Sequence, residues 1–359
     1  MANNVTQAGR ILQIEFESHI TPVVKKKTGK PWLYWGTCND YPNYLLELYK
    51  RDAAHGGLIK SKADHVYGKG LCYDSENLTV GEQATYELFL SKANRYEDWN
   101  SIFKKTTEPF EIFNGFAWQI IYGYNGKISE VYVQEFAKFR CSPCGKKIFY
   151  CEKWINEDGK PNSNPESHES FKEYLAFNPS IRTGTQILYF KTEVQTAQEY
   201  GNIYPEPGYI QGCQDIETNI EITNFHYSNL KNGMFAAAML SLFNGEPTED
   251  EKKKYEKLFQ RKFSGTSNTG RILFNFVDKG GEEAKLTTLT QADLDKMFEA
   301  AGTRSKENIF TAHRTDPVLA NIFLNGTSIG ENTIYLQKFD RWVKSYVEHQ
   351  QEIILSVVK

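Results

Sequence analysis

The pattern of apolar positions opens with a helix. Leu45, Leu48, Asp52, His55, Ile59, Lys62 and Val66 recur at helical spacing behind the start signal Asn39-Asp40-Tyr41-Pro42-Asn43, and Gly68 and Gly70 stop the run. A second helical stretch is predicted over about 81–105. From Phe110 the period changes to two. Phe116 to Tyr122 leads into Asn125-Gly126, a strong hairpin signal, and Val131, Val133 and Phe136 mark the return strand. Another strand pair is predicted for residues 139–141 against 148–154, turned by Pro143 and Gly145. A polar loop follows over 156–170, and a strand over 186–192 closes this β-rich part.

Beyond Pro205 and Pro207 the pattern is helical again. Tyr209, Cys213, Ile216, Ile220, Thr223, Tyr227 and Leu230 form a heptad-like seam on a helix of about 23 residues, roughly 34 Å long. The apolar run Met234 to Phe243 reads equally as a strand or a buried segment. Thr248-Glu249-Asp250-Glu251 is a capping box that opens a short helix, on which Glu249 and Asp250 each face a lysine four residues on; Gly265 ends it. Residues 271–277 read as a strand, with 286–289 as its expected partner. A long helix is predicted from Thr290 to about Thr315, broken by Asp316-Pro317. A loop over 318–330 then precedes a last helix that runs from Glu331 to Lys359 without a cap, as in a shortened chain. The first thirty residues, with Lys25-Lys26-Lys27, read as an arm.

Composition narrows the function. The 359 residues are 40% hydrophobic and 14% aromatic, with 21 Tyr and 23 Phe, which suits packed cores and large subunit contacts rather than disorder. The formal net charge is −3. A protein that grips phosphates needs a basic face, so tight DNA binding is not expected, while passage of DNA through a non-adhesive channel stays open. No apolar stretch approaches the roughly 20 residues that span a bilayer. The start lacks the basic flank and apolar run of a secretory signal, so the six cysteines are expected reduced.

Candidate chemistry is sparse. Gly326-Thr327-Ser328-Ile329-Gly330 matches the G-x-S-x-G nucleophile elbow, but the only downstream partners for Ser328 are Asp340 and His349, nine residues apart on one predicted helix. A flexible Gly-Ser loop is the better reading. Gly265 to Gly270 with Arg271 lacks the lysine and hydroxyl of a phosphate-binding loop, so ATP hydrolysis is not expected. Cys141, Cys144 and Cys151 have the knuckle spacing of a zinc site without a nearby histidine; reduced thiols with no metal are the expectation, and no cofactor is implied. The seven histidines form no ligand pair and read as satisfied or surface residues. The expectation is a non-enzyme.

Three segments resemble the portal proteins of tailed double-stranded DNA bacteriophages. The first runs from Tyr41-Pro42 through His55, Ile59 and Lys62 to Tyr67-Gly68-Lys69-Gly70-Leu71. The second is Tyr204-Pro205-Glu206-Pro207-Gly208-Tyr209-Ile210, leading through Asp215-Ile216-Glu217 and Phe225-His226 to Asn229-Leu230-Lys231-Asn232-Gly233. The third is Phe263-Ser264-Gly265 to Gly270-Arg271-Ile272-Leu273. The resemblance implies an α+β portal fold. Its parts would be a β-rich wing over 1–205 (β-unit 110–194), a first stem helix over 206–231, a small α/β clip over 232–289, a second stem helix over 290–315, a tunnel loop over 316–330, and a tunnel helix with the start of a C-terminal wing over 331–359.

It further implies a ring, a dodecamer in this family, at the capsid vertex of the virion and assembled in the host cytoplasm. Double-stranded DNA would pass through it weakly and non-specifically. Its expected partners are the terminase large subunit, the major capsid and scaffold proteins and the head-completion proteins; no membrane is involved. Within that frame Ile216, Ile220, Tyr227 and Leu230 are expected to pack between subunits. Glu249, Lys253, Lys257 and Arg261 are expected to dock the motor or adaptor. Leu319, Asn321, Ile322, Phe323, Leu324 and Asn325 are expected to face DNA, with core packing as the competing reading for this apolar run. Asp215, Glu217 and Glu221 would make the lumen negative. A virion adaptor that forms no ring is the competing assignment.

Overall fold

The computed structural model describes residues 23–157, 159–231, 238–242, 272–276, 285–288, 292–319 and 332–357. They belong to two compact units: residues 1–46 with 69–207, and residues 47–68 with 208–359. The division falls inside helix α1 (Tyr41–Arg51). Residues 47–68, which the resemblance assigns to the wing, therefore belong by their contacts to the second unit.

The first unit opens with a small antiparallel pair, β1 (Val24–Lys26) on β2 (Leu33–Trp35). Part of the expected arm is thus a hairpin. Its turn uses Gly29 at φ +81°, a left-handed conformation that a side chain would oppose. Lys27 and Lys30 lie over the rings of Tyr34 and Trp32, at 5.4 and 5.2 Å, so the basic run covers aromatic surface. The predicted helix over 81–105 is two helices, α3 (Val80–Leu90) and α4 (Trp99–Phe113). Asn94 makes the break: its amide donates to the Val131 carbonyl (2.8 Å) and its Oδ1 accepts from the Tyr96 and Glu97 N–H groups. Asp98 then caps α4 by accepting from Ser101 N–H (2.7 Å). Asn114, left-handed at φ 57°, ends α4.

A six-stranded sheet follows. Its strands are β3 (Gly115–Tyr122), β4 (Ile128–Gln134), β5 (Phe139–Cys141), β6 (Lys147–Tyr150), β7 (Lys172–Ala176) and β8 (Thr185–Lys191), in the spatial order β4-β3-β8-β7-β6-β5. Every pairing is antiparallel except β7 on β8. Both predicted hairpins are present, with β6 ending at Tyr150. Strand β7, Lys-Glu-Tyr-Leu-Ala, carries no predicted element, because its charges hide the alternation.

Two of this unit's aromatic groups hold its strands together. Trp32, Tyr34, Phe149, Cys151 and Trp154 form one buried cluster. In the other, Trp35 stacks on Tyr204 with centroids 4.6 Å apart. The Tyr204 hydroxyl donates to the Leu33 carbonyl (2.7 Å) and accepts from the Cys141 N–H (3.0 Å), stitching β2 to β5. Arg140 is fully buried beside them. Its guanidinium is satisfied by the carbonyls of Asn39, Ala137 and Phe139 and by the Asn39 side chain, and it stacks over Trp154. Burial pushes its pKa down, as expected where carbonyls rather than a carboxylate hold the charge.

In the second unit α2 (Ala53–Tyr67) ends at Gly68. The long helix α5 (Cys213–Lys231) follows a 3-10 turn over Ile210–Gly212, and α6 (Ala292–Ala312) is its partner. Between them in sequence come β9 (Ala238–Leu242), β10 (Ile272–Phe276) and β11 (Lys285–Thr288). β9 is central: β10 pairs with it in parallel and β11 antiparallel. The run around Met239 is therefore a strand, and residues 285–288 pair with β9 rather than with the 272–276 strand. A parallel β9–β10 pair needs a long crossover, which the 29 intervening residues supply. The closing segment is α7 (Asn332–Trp342), a π-helical stretch (Val343–Val347) and α8 (Glu348–Leu355). Among the described residues no helix is long and apolar enough to cross a membrane.

Candidate functional site

The two long helices of the second unit lie side by side in opposite directions, as four successive contacts show. Gly212 meets Ala312, and a Cβ on this glycine would stand only 2.7 Å from that of Ala312. Asn308 donates to Asp215 (3.0 Å). Ile222 reaches to 3.8 Å from where a Cβ on Gly302 would stand, and the rings of Phe225 and Phe298 are 4.6 Å apart. Residue numbers rise on one helix as they fall on the other, so the contact extends over about 13 residues, roughly 20 Å. Small residues at Gly212, Gly302 and Ala312 let the backbones approach. Apolar residues then fill the seam.

This arrangement bears on the expected subunit contact. Ile216 and Ile220 are buried within the chain itself, at 0% and 6% exposure, as are Ile309 and Phe310 of α6. A heptad seam specifies a helix partner but not whose helix it is, and α6 of the same chain lies alongside α5. Tyr227 is 63% exposed. The side chain of Leu230 lies outside the described residues.

The base of the helix pair is pinned by histidines. His55 of α2 and His313, just past α6, are buried, and His55 Nδ1 and His313 Nε2 share a hydrogen at 2.9 Å. The Tyr209 ring, just before α5, packs on both, at 4.4 and 5.0 Å. Among the described residues, His55 Nε2 and His313 Nδ1 have no hydrogen-bond partner. Asp52 caps α2 through the His55 N–H (2.6 Å), and its second oxygen accepts from the Asn219 amide of α5. Burial, with Lys62 nearby, pushes His55 down to about 3 and His313 well below its usual range. Both rings are neutral at physiological pH. The expectation of satisfied or surface histidines missed this pair, for which the only sequence signal is His55 on the apolar face of α2.

Arg314 in a left-handed conformation (φ 53°) turns the chain out of α6 before Asp316, which accepts from Val318 N–H (3.0 Å) and pairs with Lys338 of α7 (2.9 Å). Leu319, expected to face DNA, is only 4% exposed. It is a core residue: the Asp316 turn draws it inward. Asn321, Ile322, Phe323, Leu324 and Asn325 lie outside the described residues, as do Glu249, Lys253, Lys257, Arg261 and the Gly326–Gly330 loop with Ser328. Asp340 and His349 are exposed on the closing helical segment, and Asp340 pairs with Lys344.

In the first unit Cys141 and Cys151 are buried and Cys144 is exposed. Among the described residues no three His, Cys, Asp or Glu side chains gather closely enough to hold a metal ion. Of the expected lumen acids, Glu221 is exposed, Glu217 half-buried, and Asp215 half-buried against Asn308.

No protein-family model matches the chain. No curated protein matches it in sequence. Solved structures do resemble it. The neck of an empty gene transfer agent particle, computed with C6 symmetry, is similar at TM-score 0.49 and 13% identity, over 80% of this chain and 72% of that one. The neck of the native particle, computed with C12 symmetry, is similar at 0.47 and 10%, over 80% and 71%. The chain is also similar, at TM-score 0.43 and 9% identity over 83% of each chain, to an HK97-family phage portal protein from Corynebacterium diphtheriae.

Proposed function

We propose that the chain is a portal subunit. Copies form a ring at one capsid vertex; double-stranded DNA passes through it during packaging and ejection, and the motor docks on the segment 232–289. The reading is carried by one arrangement: two long antiparallel helices, α5 and α6, interrupted in sequence by a small three-stranded sheet. This is the order of stem, clip and stem that the sequence resemblance implies. Exposed Tyr227 supplies contact surface toward a neighbouring copy. Acidic Glu221 on α5, and a 318–330 loop without Lys or Arg, keep phosphates from binding tightly, so that DNA moves rather than sticks. The test is the size of the purified particle. A high cyclic oligomer seen down its axis by negative stain supports the proposal, and a monomer at high concentration refutes it.

A second reading, a virion adaptor that forms no ring, is favoured by one observation: Ile216 and Ile220 are already buried within the chain itself. Pull-down of a large terminase subunit by the full chain, lost when Glu249, Lys253, Lys257 and Arg261 are replaced together by Ala, separates the two. The adaptor binds no terminase.

A further inference from the structure

We propose that helix α3 of one copy docks on the β3–β4 hairpin tip of the next copy, in a head-to-tail contact. This rests on the ring reading and names one of its contacts.

Helix α3 is apolar yet largely exposed among the described residues. None of its eleven residues is buried, and Val80, Leu88, Tyr86 and Phe89 are 84%, 73%, 47% and 46% exposed. Val80, Ala84 and Leu88 fall four residues apart and make one row along the helix. The helix is nevertheless well built. Thr79 and Glu82 form a reciprocal capping box, Tyr86 stacks on Tyr73 at 5.4 Å, and Phe89 stacks on Trp99 at 5.2 Å. Ordered apolar surface of this kind marks an interaction site. Its charges are of one sign: Glu82 and Glu87 lie within it and no basic residue does.

The hairpin tip has the opposite character. Tyr124 is fully exposed, Ile128 is 49% exposed and Ile181, in the adjoining loop, 40%. The loop abuts the turn: a Cβ on Gly126 would stand 3.8 Å from that of Arg182. Lys127 and Arg182 are both exposed. Among the described residues neither forms an ion pair, and neither do Glu82 and Glu87.

One unit thus carries two apolar patches of opposite charge. Pairing α3 with α3 would oppose acid to acid, and pairing tip with tip would oppose base to base. Pairing α3 with the tip matches both sets. That contact joins different surfaces of identical copies, the heterologous type that closes into rings. Like-with-like pairing would stop at a dimer.

Charge reversal in both directions tests this. In sedimentation at physiological salt, Glu87→Lys, and separately Lys127→Glu with Arg182→Glu, should each weaken assembly by about tenfold or more. The combined protein should recover to within about threefold of the unaltered chain. All these positions are exposed, and circular dichroism checks that each variant is folded. If the unaltered chain forms rings and either reversal leaves assembly undiminished, or the combination is no better than its parts, the contact is wrong and the patches serve another partner. If the unaltered chain never assembles, the ring reading itself fails, a result distinct from the first.

Discussion

Acid should loosen the base of the helix pair, by an amount that follows from two rings. His55 and His313 are buried and neutral, with His55 pushed down to about 3 and His313 well below its ordinary range. Unfolded, each titrates near 6.5. Between those limits the unfolded chain holds protons that the folded chain refuses, so stability rises with pH; it is fully present above about 6.5 and drains away as pH falls toward the folded values. From pH 8 to pH 4.5 the cost is about 3 kcal/mol for His55, and about 5 kcal/mol for the pair if both remain neutral when folded. The charged groups facing the pair do not reverse the sign. Lys62 opposes protonation, and Asp52 already serves the His55 N–H and Asn219. Urea unfolding at several pH values, compared between the unaltered chain and His55→Gln/His313→Gln, isolates the effect, because every other titrating group is common to both. The variant should be less stable at pH 8 and much less sensitive to acid. Equal slopes in the two proteins would refute the reasoning.

Three further outcomes are expected. Tyr204→Phe keeps the stack on Trp35 but strands the Leu33 carbonyl and the Cys141 N–H, and should cost about 2–4 kcal/mol in denaturant unfolding; a loss below about 0.5 kcal/mol would mean that water replaces the hydroxyl. Ile216→Ala should destabilise the folded chain by about 2–5 kcal/mol, measured under conditions where it is monomeric, because the side chain is covered by its own protein. In native thiol labelling followed by mass spectrometry, Cys144 should react first: it is exposed, and the Ser142 hydroxyl lowers its pKa. Cys141, pushed up to about 12 by burial, should react only on unfolding.

The elements with an unambiguous period were legible in the sequence: the α2 face, the Asn125-Gly126 hairpin and the long seam from Tyr209. What stayed hidden has identifiable causes. Strand β7 pairs centrally in its sheet, yet Lys172 and Glu173 mask its alternation. The Leu33 to Trp35 strand sits behind a lysine run that reads as solvated. The break in the 81–105 helix depends on one asparagine reaching β4, a contact far along the chain. For the candidate site, spacing alone identified a helix that needs a partner, but chain identity is not encoded in spacing, and Ile216 and Ile220 are buried within the chain itself. His55 and His313 lie 258 residues apart and meet only after folding.

The β9–β11 pairing has a consequence for how this protein can change over time. Ala238, shortly after α5, lies opposite Thr288, shortly before α6, so the main chain leaves and re-enters the rods at adjacent strands. Segments 243–271 and 277–284 are therefore spliced in at a closed mouth. Lengthening, trimming or swapping them leaves the rods' own spacing untouched. The length and composition of those segments are thereby uncoupled from the spacing of α5 and α6, like an exchangeable head on a fixed handle.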